Sequence, residues 1–220
     1  MILAAGRGER MRPLTDDMPK PLLPVGGKSL IQHHIENLAA AGVREIVVNL
    51  AWQGAKLRSA LGDGAQFGVR IQYSDEGDFA LETGGGICKA LPLLGDEPFI
   101  VVSGDIWTDF PFSTLRLATD DVAHFVVVPN PDFHANGDFA LDGTRMSEIG
   151  PKYTYANIGV FRPQFFAGRE PVRFALAPLM FEWIRQGRVS GELYEGAWHN
   201  VGTPLQLETL HRRLTRAPAP

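Results

Sequence analysis

Residues 1–27, MILAAGRGERMRPLTDDMPKPLLPVGG, decide how this chain is read. A short apolar run enters glycines, as in a dinucleotide-binding βα turn. That fingerprint requires Gly-x-Gly-x-x-Gly, its third glycine allowing close helix–strand packing. Here Gly6 and Gly8 fill the first two places and Met11 the third, so a dinucleotide oxidoreductase rests on two glycines alone. The remaining residues suit another anion. Gly6 and Gly8 let successive amides face a ligand without a Cβ in the way, and Arg10 adds a fork of donors for phosphate oxygens. Lys20, between Pro19 and Pro21, is held on stiff, extended backbone. A Walker loop is excluded, because Gly27-Lys28-Ser29 has no glycine five residues earlier and follows no strand. With Met1 directly before ILAA, the first strand is expected to be short, or the true start to lie upstream.

Outward from this loop, apolar runs alternate with amphipathic segments, the pattern of βαβ units. VREIVVNL (43–50), the edge-like GVRIQYS (68–74) and the strongly apolar PFIVVSGD (98–105) read as strands. Ser29 caps a helix with Ile31, Ile35, Leu38 and Ala41 on one face, stopped by Gly42. WQGAKLRSAL (52–61) reads as a short helix, and TGGGICKALPLL (83–94) as a glycine-rich helix start with Thr83 as cap. Farther on come a strand HFVVVPN (124–130), a hairpin turning at Asp142-Gly143, a strand YANIGVF (155–161), a helix ended by Gly187 and a final helix opened by Thr203-Pro204. TRAPAP (215–220) reads as a frayed tail.

The fold expectation is α/β and Rossmann-like: a mostly parallel central sheet flanked by helices, with a small subregion over the substrate. One domain over 1–220 is expected, with a first half to about residue 110, a second half over about 111–203, and a C-terminal helix and tail over 204–220. At 220 residues such a chain buries a substantial core. Its 21 Lys+Arg against 25 Asp+Glu give a net charge of −4, which excludes a global basic field for nucleic acid. The single cysteine, Cys88, excludes an intramolecular disulfide framework and reads as a small core residue. No stretch reaches the roughly 18 apolar residues of a membrane span. The expectation is a soluble, cytoplasmic protein without nucleic-acid or membrane partners, and nothing calls for more than a monomer.

Residues 3–31, LAAGRGERMRPLTDDMPKPLLPVGGKSLI, resemble the sugar-1-phosphate nucleotidyltransferases, whose pattern is a Gly-x-Gly-x-Arg loop followed by Pro-Lys-Pro. LETGGGICKALPLLGDEPFIVVSGDIWTD (81–109) and WHNVGT (198–203) are similar to a subgroup, the small uridylyltransferases acting on N-acetylmuramic acid 1-phosphate in bacterial peptidoglycan recycling. The resemblance covers essentially the whole chain. It implies a nucleotide-diphospho-sugar transferase (GT-A-like) fold in which about 1–110 is the nucleotide-binding half and about 111–203 the sugar-binding half, UTP and a sugar 1-phosphate as substrates, and Mg²⁺ as cofactor.

Residue by residue, the resemblance implies that Ala5, Gly6, Gly8, Glu9 and Arg10 line the triphosphate, that Lys20 bridges phosphates, and that Gly84 and Gly85 meet the base. Arg10, Lys20 and Asp105 would be catalytic. Asp105, ending the most apolar strand, would hold Mg²⁺. The second metal position in the family's closing Trp-x-Asp-Val-Gly-Thr motif is Asn200 here, which offers a carbonyl oxygen without charge. His199 would point to the opposite face from Trp198 and Asn200 and is read as structural or exposed. For the sugar the pattern points to Ser103, Gly137, Glu148 and Asn157, with Ser103 in place of the subgroup's usual asparagine. His33 and His34 read as surface and partly buried helix residues. The competing readings are a mannose-1-phosphate guanylyltransferase, a glucose-1-phosphate thymidylyltransferase, or a binding module without turnover suggested by Asn200.

Overall fold

A computed structural model describes residues 1–216. Strand β1 spans only Ile2–Leu3 and opens into a loop containing 3-10 turns at Glu9–Met11 and Lys20–Leu22. Strands β2 (Pro24–Val25) and β3 (Lys28–Ser29) form a minimal hairpin. Helix α1 (Leu30–Ala40) starts where expected, the Ser29 hydroxyl accepting the Gln32 amide at 3.4 Å, and the chain leaves it through Gly42 at φ +94°. Then follow β4 (Glu45–Leu50), α2 (Gly54–Leu61), β5 (Arg70–Asp75), α3 (Glu82–Leu94), β6 (Phe99–Ser103) and β7 (Ile106–Thr108). The later chain forms β8 (Ala123–Val128), β9 (Phe139–Asp142), β10 (Arg145–Ser147), β11 (Lys152–Phe161), α4 (Leu176–Arg185), β12 (Val189–Leu193), β13 (Trp198–Asn200) and α5 (Pro204–Arg216). The tail expected over 215–220 falls mostly outside the described residues; Thr215 and Arg216 belong to α5.

The chain divides into two compact units. Among the described residues, one comprises 2–80, 103–113 and 197–216. In it β1, β4 and β5 pair in parallel, Ile2 opposite Val48 and Glu45–Leu50 opposite Arg70–Asp75. The Rossmann-like expectation holds for these strands. Beside them β13 pairs antiparallel with β7, Asn200 opposite Ile106. Met11, the residue standing where a dinucleotide fingerprint needs glycine, is fully buried in a cluster with Leu23, Val25, Leu30, Val201, Leu207 and Leu210. Its side chain anchors the loop from below.

The other unit comprises Met1, 81–102 and 114–196. Here the expectation of a mostly parallel sheet is corrected to a mixed one. β11 runs antiparallel to β6, β8 and β9, and β10 runs antiparallel to β9 and β12, whereas β8 and β12 pair in parallel. The expected hairpin at Asp142-Gly143, where Gly143 takes φ +58°, accounts for the β9–β10 pair, because chain reversal through a two-residue turn produces antiparallel neighbours; the placement of β11 against β6, β8 and β9 makes the rest of the sheet mixed. The core is aromatic, with Phe125, Phe139, Phe161, Phe165 and Phe166 packed at ring distances of 5.0–6.4 Å.

The cap of α3 also differs. The helix begins at Glu82, so Thr83 lies inside it and does not cap it. The Phe174 carbonyl does that work, accepting the amides of Gly84 and Gly85 at 3.1 and 3.3 Å. No described helix is long and apolar enough to cross a membrane.

Candidate active site

Most of the residues singled out in the opening loop and the FIVVSGD segment gather within the first unit. The parallel strands β1 and β4 deliver the loop. At its start the Ala4 amide donates to Asn49 Oδ1 at 2.7 Å, and Asn49 Nδ2 donates to Glu76 Oε1 at 2.7 Å. Both Asn49 and Glu76 are buried at the carboxyl ends of β4 and β5. Neither was singled out from the sequence, although an asparagine within the apolar run IVVNL is a signal, since a buried amide needs partners.

Gly8 turns the loop at φ +66°, and the Thr15 hydroxyl donates to its carbonyl at 2.8 Å. A Cβ at Gly8 would lie 3.1 Å from both Lys20 Cβ and Thr15 Cγ2. The lysine stem therefore packs directly beneath the glycine turn. Its ammonium reaches Asp105 Oδ2 at 2.8 Å. The Lys20 side chain is 9% exposed and that of Asp105 37%, so the carboxylate still faces water where the lysine does not. Ser103 Oγ donates to the other oxygen, Asp105 Oδ1, at 2.8 Å. Burial alone would push the Asp105 carboxyl up, but the Lys20 charge and hydrogen bond, helped by the Ser103 hydroxyl, hold it below the usual carboxylate range. Asp105 is thus an anion at neutral pH.

Two further segments close on this group. The Gly104 amide donates to the Leu3 carbonyl at 2.8 Å, joining the Asp105 turn to the end of β1. From the C-terminal side, the Val201 amide donates to the Asp105 carbonyl at 2.9 Å. Asn200 therefore sits one residue from that bond, and its side chain makes no hydrogen bond to any described residue. Arg10 lies against the next residue but one, its Nη2 3.4 Å from where a Cβ on Gly202 would be. Lys20, Ser103 and Asp105 are thus in direct contact, the segment of Asn200 bonds to the Asp105 backbone, Arg10 lies against Gly202, and Ala5, Gly6 and Glu9 belong to the same loop as Arg10.

Under this group lies His34, which is fully buried where a partly buried helix residue was expected; its place on α1 turns it inward with Ile31, Ile35 and Leu38. Its Nε2 is 2.8 Å from the Ile106 carbonyl, and burial pushes its pKa down to about 4, so the neutral ring donates there. His199 does stand apart from the site: Arg213 Nη1 approaches its Nε2 at 2.8 Å and its ring lies 5.9 Å from Trp107. Among the described residues no group of three or more His, Cys, Asp or Glu is assembled for a metal. A cation here would rest on Asp105 and on oxygens brought by a ligand.

A family model described as Nucleotidyl transferase matches residues 1–147. The chain belongs to this nucleotidyl transferase family. It is 48% identical over 218 residues to the N-acetylmuramate alpha-1-phosphate uridylyltransferase of Neisseria meningitidis serogroup B, covering 94% of each chain. It is 37% identical over 237 residues to the protein of the same name from Caulobacter vibrioides, covering 99% of this chain and 97% of that one. Among solved structures, a Bacillus anthracis protein assigned as a glucose-1-phosphate thymidylyltransferase matches with a TM-score of 0.83 at 20% identity, over 100% of this chain and 96% of that chain.

In the second unit of this nucleotidyl transferase, the other expected site residues are differently engaged. The Cβ positions of Gly84 and Gly85 are filled by the chain itself: a Cβ would come 2.2 Å from the Phe174 ring at Gly84 and 2.0 Å from the Val172 carbonyl oxygen at Gly85. Glu148 is paired with Arg185 through two hydrogen bonds, 2.6 and 2.9 Å. Asn157 is exposed at φ +59°, at the register shift of β11, and Gly137 takes φ +60° beside Asn130 Oδ1. Cys88 is buried as expected.

Proposed function

We propose that this chain is a Mg²⁺-dependent uridylyltransferase joining UTP to N-acetylmuramic acid 1-phosphate, with UDP-N-acetylmuramic acid and pyrophosphate as products. The reaction class is carried by one observation, the pairing of buried Lys20 with the partly exposed carboxylate of Asp105 beneath the Gly8 turn. The choice of UTP and this sugar is supported by the names of the Neisseria and Caulobacter relatives.

In this reading a phosphate oxygen of the sugar 1-phosphate forms a bond to the α-phosphorus of UTP. The bond from that phosphorus to the β-phosphate oxygen breaks, and pyrophosphate departs with the electron pair. Catalysis of this kind rests on positioning and neutralising charge. Ala5, Gly6, Gly8 and Glu9 form the loop along the triphosphate. Lys20 binds phosphate oxygens, and Arg10 stabilises the charge gathering on pyrophosphate. A divalent cation fits the donor set, which is all oxygen: the ionised Asp105 carboxylate, the free Asn200 side chain and substrate phosphates. Asp105 and Asn200 would hold Mg²⁺, which supplies charge neutralisation at the phosphates when bound. On the sugar side the reading keeps Ser103, Gly137, Asn157 and Glu148, the last after release from Arg185. Gly84 and Gly85 meet the base only where the Val172–Phe174 segment yields.

The test is pyrophosphate release by the purified protein across a substrate panel. UTP with N-acetylmuramic acid 1-phosphate is expected to be the fastest pair, dependent on Mg²⁺ and stopped by a chelator. Faster release from GTP with mannose 1-phosphate, or dTTP with glucose 1-phosphate, would overturn the substrate assignment. Binding of UTP without release from any pair would overturn turnover itself.

A further inference from the structure

The triphosphate loop is held from behind by a second segment, Trp52–Lys56, which runs from the turn after β4 into the first turn of α2. Three consecutive loop carbonyls each accept a side-chain N–H from it. Trp52 Nε1 donates to the Thr15 carbonyl at 3.4 Å, Gln53 Nε2 to the Asp16 carbonyl at 2.8 Å, and Lys56 Nζ to the Asp17 carbonyl. The Arg7 guanidinium lies 4.4 Å over the Trp52 ring, a cation–π contact that ties the near end of the loop to the same segment. Gln53 adopts φ +53°, ψ 32°, a left-handed conformation uncommon for glutamine.

We infer that Trp52, Gln53 and Lys56 are positioning residues for the nucleotide loop: they fix its carbonyls against α2 and so set the presentation of the Gly6–Arg10 turn. This inference rests on the nucleotidyl-transfer reading above. The physical link is peptide planarity. In a trans peptide the carbonyl of one residue and the amide of the next point in opposite directions. Carbonyls 15–17 held toward α2 turn the amides of residues 16–18 away from it. The Asp16 amide is used inside the loop, donating to the Pro13 carbonyl at 3.1 Å. Those of Asp17 and Met18 make no hydrogen bond to any described residue. Within the loop, the Thr15 hydroxyl carries the restraint on to the Gly8 carbonyl at 2.8 Å, and Gly8 packs on Lys20. The chain of contacts runs from Trp52, through Thr15 and Gly8, to the lysine of the site.

The test pairs kinetics with amide hydrogen exchange on the full chain. In the double variant Gln53→Ala, Lys56→Met, with two hydrogen bonds lost, the KM for UTP should rise about tenfold. The kcat and the KM for N-acetylmuramic acid 1-phosphate should stay at wild-type values, and amides 14–18 should exchange faster. Lys56→Arg in the otherwise wild-type chain keeps a donor and should keep the wild-type KM. An unchanged KM for UTP and unchanged exchange in the double variant would overturn the inference. So would a joint fall in kcat and in both affinities with a lowered melting temperature, the mark of a merely structural role. Should the wild-type protein show no transfer with any nucleotide, the functional reading fails alone, and the exchange of amides 14–18 still decides whether the segment restrains the loop.

Discussion

Gly6 and Gly8 invite comparison with Gly84 and Gly85, since both pairs looked like backbone left bare for a nucleotide. Around Gly6 nothing lies within 4 Å of a built Cβ, and the side chains beneath Gly8 are those of Thr15 and Lys20, part of the site itself. At Gly84 and Gly85 the space is taken by Phe174 and Val172, and both amides are already bonded to the Phe174 carbonyl. The same residue type thus stands in two settings: open space at Gly6, and close approach of the chain to itself at Gly84 and Gly85. A glycine run distinguishes the two only through its company. Arg10 and Lys20 accompany the first pair, and an apolar helix the second.

The largest effect that could break this contrast lies at Lys20. Lys20→Ala removes one charge-stabilising group and should lower kcat about 10²- to 10³-fold while the fold persists, because the orphaned Asp105 carboxylate still reaches water. Pyrophosphate release at the wild-type rate would show that the first glycine loop is not built around phosphate chemistry. Next in size is Gly85→Ala. Its Cβ would fall 2.0 Å from a backbone oxygen, so the 172–174 segment must shift, at a cost of about 1–3 kcal/mol. Thermal unfolding reads this directly, and an unchanged melting temperature would mean that the segment rests only loosely on α3.

The proposed metal position sharpens the first side of the comparison. Asn200→Asp adds a second carboxylate beside the Asp105 turn. The Mg²⁺ concentration for half-maximal activity should fall about fivefold, corresponding to roughly 1 kcal/mol of added attraction. A magnesium titration identical to wild type would remove Asn200 from the cation's surroundings.

How far these two regions were legible from the sequence follows from the range of the interactions. Ser29, Gly42, Asp142-Gly143 and Thr203-Pro204 act within a turn or two, and the structure has the expected boundaries at each. Lys20 and Asp105 were legible because rigid prolines and a strand end are themselves local features. The mixed sheet was not, since the placement of β11 between β6 and β8 is decided by contacts across the whole unit. Nor was the cap of α3, where a carbonyl 90 residues away in sequence takes the role assigned to the adjacent Thr83. The full burial of His34 escaped for a similar reason: its helical spacing from Ile31, Ile35 and Leu38 turns it inward, but the Ile106 carbonyl that gives the buried ring a partner lies 72 residues on.

The smallest effect is the one that tests the open side of the comparison. Gly6 is not in the left-handed region and has no neighbour within 4 Å of its missing Cβ, so Gly6→Ala introduces neither strain nor a clash within the chain. Its stability should stay within about 0.5 kcal/mol of wild type, read by the same thermal unfolding used for Gly85→Ala. In the proposed function that space takes the triphosphate, and a methyl group placed there would obstruct it. The KM for UTP should therefore rise while the KM for the sugar phosphate holds. Stability and nucleotide affinity then separate at Gly6 where Gly85→Ala moves stability first. If Gly6→Ala proved as destabilising as Gly85→Ala, both glycine turns would be packing devices and the contrast between them would collapse.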